Sequence, residues 1–166
     1  CQSGLQGASI SATGSSDFTV NGGSGDLVLH ATGLPQGSLG LFVYGDGIQP
    51  ATPVGSGFLC VSGSPRVFRL DPVSTGATGT SVDFPIDYLQ APAAAAQIQP
   101  GSTWNFQYWF RDGAGADLTD ALQIQFVPPE TILPVLVLAD VQRSGHPLGQ
   151  TLDGGVVVMN TLAEYQ

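Results

Sequence analysis

The residues with chemical potential in this 166-residue chain are few and far apart. Ser144 and His146 place a hydroxyl two positions from an imidazole, on the same side of an extended chain. No orienting acid and no oxyanion-binding donors accompany them, so a polar loop explains the pair better than a nucleophile does. His30 falls on a strand-like run, where a histidine is more often a surface or satisfied core residue than a ligand. The two histidines and two cysteines stand at no metal-ligand spacing. Asp112 and Asp117, with Asp120 just beyond, gather three carboxylates and several carbonyls of the kind that a hard cation such as Ca²⁺ prefers. They lack the EF-hand pattern, and Asx turns alone place aspartates in hairpin loops. Ca²⁺ is therefore the lesser reading there, and Asp46, in a Gly-Asp-Gly-Ile turn, is weaker still. The expectation is a protein that is not an enzyme and holds no cofactor.

Cys1 and Cys60 leave three readings open. They can form a disulfide within or between subunits, as secreted domains often do. Cys1 can instead carry a lipid anchor, because a mature chain beginning at cysteine is what that processing leaves. Free ends are the third. A first residue of Cys fits removal of a signal peptide, so the expected location is extracellular or at the cell surface.

Trp109 is the most informative single side chain. It alternates with the aromatic row Trp104, Phe106, Tyr108 and Phe110, and so lies on the opposite strand face beside Asn105, Gln107 and Arg111. An exposed aromatic among amides is how sugar-binding platforms are built, which makes surface polysaccharide a candidate partner. Covered by a strand or a subunit, the same indole is an interface anchor. Covered by a second layer of its own domain, it is structural.

These residues need elements to position them, and the hydropathy pattern predicts strands. With 23 Gly, 12 Pro and 10% charged residues, the chain reads as many short strands and turns. Residues 103–111 and 122–126 both alternate with period 2 and predict a β-hairpin that anchors the core. Earlier strands are expected at Ala8–Ala12, Phe18–Val20, Asp26–Thr32 and Leu39–Gly45. Asn21-Gly22-Gly23 marks a tight turn. The 39–45 run is apolar on both faces and reads as central. Residues 45–57 carry so many Gly and Pro that they read as a loop. Phe58–Ser62 and Arg66–Leu70 are expected to pair with each other. Val82–Tyr88 contains Pro85, which places that strand at an edge or breaks it, and 91–100 reads as a crossover with one helical turn. The fold class is all-β: an antiparallel β-sandwich, Ig-like or jelly-roll-like, of about eight strands.

Pro128-Pro129 divides the chain into a β-sandwich domain, 1–129, and a C-terminal extension, 130–166. The extension has two β-prone runs, 132–139 and 156–159. Neither approaches the ~18 apolar residues of a membrane span. Thirteen acidic residues against four arginines, with no lysine, give a net charge of −9. Nucleic acid and anionic membrane surfaces need clustered cations and are excluded as partners.

The blocks Leu-Pro-x-Gly-Ser-Leu-Gly-Leu-Phe-x-Tyr-Gly (34–45), Gly-Phe-Leu-Cys-Val (57–61), Phe-Arg-Leu (68–70) and Trp-Asn-Phe-Gln-Tyr-Trp-Phe-Arg-Asp (104–112) resemble a Gly-rich β-domain. That domain recurs in large secreted and surface proteins of environmental bacteria. The resemblance covers about residues 1–127 and implies a secreted β-domain without an assigned activity, so no functional residues transfer. Its usual cysteine after the last strand is replaced here by Val127-Pro128-Pro129, which frees Cys1 to pair with Cys60. The expected function is a structural subunit that self-assembles with copies of itself, as a filament or lattice, by strand exchange. Ile132, Val135, Val137, Val156, Val157 and Val158 are its assembly residues. The alternative is a monomeric accessory module that binds polysaccharide or cell-surface material.

Overall fold

A computed structural model describes residues 7–18, 26–88, 90–113 and 115–128. The chain divides into two units, Cys1–Pro129 and Glu130–Gln166. The second, with Ile132, Val135, Val137, Ser144, His146 and Val156–Val158, lies outside the described residues, as do Cys1 and the turn at 21–23.

The first unit is all-β and its described ladders are antiparallel. One sheet of the sandwich has the order β1 (Ser9–Thr13), β2 (Val28–Thr32), β8 (Ser81–Pro85). The other centres on β3 (Leu39–Gly45) and β9 (Thr103–Asp112), paired from Gly40↔Phe110 to Gly45↔Asn105. Each outer edge of that pair is made of two short pieces. β6 (Phe68–Arg69) and β7 (Val73–Ser74) flank β3, while β10 (Gly115–Leu118) and β11 (Leu122–Gln125) flank β9. A single 3₁₀ turn, Ala94–Ala96, lies in the predicted crossover.

Alternation dictates the core. Trp104, Phe106, Tyr108 and Phe110 are all buried and point inward with Phe42 and Tyr44 of β3. Tyr44 stacks on Phe106 at 5.6 Å, and Phe42 meets Tyr108 at 4.7 Å and, across the sandwich, Phe84 at 5.7 Å. Ile10, Leu29, Ala31 and Val82 close the core from the other sheet. Pro85 ends the outer strand β8, the edge placement expected of a residue without an N–H.

Three predicted details differ. The expected loop at 45–57 contains β4 (Gly47–Val54), which pairs with β5 (Gly57–Ser62) as a separate hairpin. β4 accommodates Pro50 and Pro53 because, among the described strands, it pairs only with β5, and its register shifts between Ile48 and Thr52. The two segments expected to pair with each other do not: β5 joins β4, and β6 joins β3. The return arm of the anchor hairpin is two strands, because the Thr119 hydroxyl accepts the Tyr108 N–H at 3.0 Å and interrupts the ladder.

Candidate functional site

The β4–β5 hairpin lies over the outward face of the larger sheet and gives that side of the sandwich a third layer. Gln107 fastens it. Its side chain is fully buried, and Oε1 accepts the Cys60 N–H at 2.7 Å and the Val61 N–H at 3.2 Å. Its Nε2 donates to the carbonyls of Phe58 at 3.0 Å and Thr119 at 2.9 Å. At the hairpin's turn the Ser56 N–H donates to the Ala116 carbonyl at 2.9 Å. A Cβ on Gly57 would stand 2.1 Å from Asp117 Oδ1, so only glycine allows this approach.

This layer changes what the predicted binding face can do. Asn105 is buried and its Oδ1 accepts from Gln123 Nε2 at 3.1 Å. With Gln107 also enclosed, the open row of amides expected around Trp109 does not exist. Arg111 is exposed, and Trp109 is half-buried. The indole lines a groove of about 330 Å³ that the hairpin leaves uncovered. Leu41 and Val43 of β3, Leu59 of β5, Val67 and Leu118 provide its apolar walls, and Arg69 is its charged member. Val67 and Arg69 also line a second groove of about 480 Å³, with Arg66 and Pro92. Arg66 and Arg69 are exposed and, among the described residues, make no ion pair. The site therefore combines aliphatic walls, one indole and two available guanidinium groups.

The aspartates expected to favour Ca²⁺ are not brought together. Asp117 is buried opposite Phe110, and its Oδ1 accepts the Leu118 N–H at 2.7 Å. Asp120 turns toward β1 and accepts the Ile10 N–H at 2.8 Å, while Asp112 pairs with Gly115 at the hairpin end. Among the described residues, no group of three or more His, Cys, Asp or Glu could hold a metal ion. Asp46 Oδ1 accepts the Ser64 N–H at 3.0 Å. Cys60 is buried in β5, and Cys1, its expected partner, is outside the described residues. Among the described residues no helix is long and apolar enough to cross a membrane.

One constellation was invisible to sequence reasoning. His30 Nδ1–H donates to Asp83 Oδ1 at 2.6 Å, and the Thr13 hydroxyl donates to Nε2 at 2.7 Å in the neutral tautomer. The line of hydroxyl, imidazole and carboxylate crosses β1, β2 and β8. The β1–β2 and β2–β8 registers create it, the second linking residues 53 apart. Its connectivity is that of an activated hydroxyl. However, the Asp83 side chain is 71% exposed, so solvent screens the polarisation that such an arrangement relies on. It serves as a tie across three strands.

Compared with family models, curated proteins and solved structures, the chain matches none.

Proposed function

We propose that this protein is a non-enzymatic extracellular structural subunit that assembles with copies of itself through strand exchange by residues 130–166. The observation that carries the reading is that residues 130–166 form a second unit, apart from the one whose described core runs from Ala8 to Phe126. The β-prone runs at 132–139 and 156–159 both lie in that second unit, and apolar strands exposed to water are costly and prone to pair with other chains. A chain ending at Pro129 tests this by size-exclusion chromatography with light scattering and by electron microscopy. The full chain is expected to form large species and the shortened one to stay monomeric; equal oligomers from both would end the reading. The lattice or filament, the secretion and the Cys1–Cys60 staple belong to this same proposal.

The half-buried indole of Trp109 favours a second reading, a module that binds polysaccharide with Trp109 and Arg69 at the site. Isothermal titration with surface glycans before and after Trp109→Ala separates it from the first. Unchanged binding removes it.

A further inference from the structure

Building on the assembly reading, we propose that the groove beside Trp109 is the seat for the segment 132–139 of a neighbouring copy. The lining selects the occupant. Leu41, Val43, Leu59, Val67 and Leu118 offer aliphatic walls, whereas the amides that would orient a sugar are enclosed and already bonded. Ile132-Leu-Pro-Val-Leu-Val-Leu-Ala139 is apolar at every position and is twice as long as the run at 156–159. Extended, it presents alternate aliphatic side chains to one surface. Pro134 lacks an N–H and suits a strand laid on a face better than one inside a ladder.

Charge points the same way. The run is bracketed by Glu130 and Asp140; Arg69 lines the groove and Arg66 the adjoining one, two of the four cations in a chain of net charge −9. Acidic flanks on the segment complement these guanidinium groups, which make no ion pair among the described residues, and such complementarity fixes register.

The assembly reading assigns the segment to a second copy, and the isotope mixing below distinguishes a neighbour's run from the chain's own.

The test places a benzophenone amino acid at Val135 of the full chain. Light and heavy isotope forms are mixed, irradiated, and the crosslinked peptides read by mass spectrometry. Mixed-isotope crosslinks to peptides carrying Leu41–Val43, Leu59 or Trp109 are expected. Val67→Glu and, as a variant at an exposed position, Arg69→Glu should each weaken association by about tenfold or more. Asp140→Arg should restore association in the Arg69→Glu chain. Oligomers whose crosslinks fall elsewhere, such as along β1 or β8, overturn the groove assignment and leave the assembly reading standing. Crosslinks to the groove within one copy overturn the neighbour assignment. A full chain that stays monomeric overturns the assembly reading and this inference with it.

Discussion

Removing the Gln107 amide would strand four backbone groups at once: two N–H groups of β5 and the carbonyls of Phe58 and Thr119. Each buried group left unpaired costs about 1–3 kcal/mol, without strict additivity. Gln107→Leu is expected to lower unfolding free energy by about 3 kcal/mol or more. Gln107→Glu should cost more, because a buried carboxylate would face two carbonyls. Urea denaturation checks both, and a loss under about 0.5 kcal/mol for Gln107→Leu would show that the hairpin is held by other means. Tyr44 and Tyr108 act at the same scale. Both are buried, with their hydroxyls donating to the Ala96 and Val73 carbonyls at 3.2 and 3.0 Å. Burial raises each phenol to about 12. The unfolded chain therefore releases these protons first, and the folded state binds more of them between about pH 10 and 12. Stability is intact below pH 10 and falls through this window, by on the order of 2–3 kcal/mol per tyrosine. Tyrosinate absorbance near 295 nm, followed alongside circular dichroism, should rise as the fold is lost; ionisation of all four tyrosines near pH 10 in a folded protein would contradict it.

Among the elements, β3 and β9 were the most legible. The 103–110 alternation shows the core face directly, and the two-faced apolar run at 39–45 correctly implied a central strand, which lies between β9 and β6. With the reading of Trp109 as covered by its own domain, it hinted at a third layer. It did not reveal what supplied the cover, because Gly47–Val54 carries two prolines and reads as a loop by local propensity. Long-range contact with the sheet overrides that preference. Gln107 was misread for a related reason: a polar side chain alternating with aromatics looks the same whether it meets water or a hairpin's backbone. The Thr13–His30–Asp83 line depends on strand pairing that no local pattern encodes. Close approach between elements also gives a test. A Cβ on Gly40 would stand 2.3 Å from the Trp109 carbonyl and 2.5 Å from the Tyr108 ring, backbone and packed aromatic that cannot easily yield. Gly40→Ala should therefore separate β3 from β9 and cost about 1–3 kcal/mol. An unchanged thermal midpoint would show that the pair tolerates a wider spacing.

For the molecule as a whole, the division of the chain after Pro129 predicts that residues 130–166 can be removed without loss of the first unit. A chain ending at Pro129 should keep its near-ultraviolet circular dichroism and a cooperative transition within a few degrees of the full chain, about 1 kcal/mol at this size. Loss of cooperativity would mean that the extension belongs to the core. The broken edges of the larger sheet act at this scale too. No described strand flanking β3 or β9 exceeds four residues, so neither border offers a long uninterrupted template for another chain.

The tie between Asp17 and Val127 has a mechanical meaning. These segments run parallel, joined by Val127 N–H to the Ser16 carbonyl at 3.0 Å and Phe18 N–H to the Val127 carbonyl at 3.3 Å. Tension applied between Ser15 and Pro128 would pull the two segments past each other and load both bonds together, where an antiparallel pair would unzip one bond at a time. A subunit strung along a fibre would meet stretching force with its fastened side.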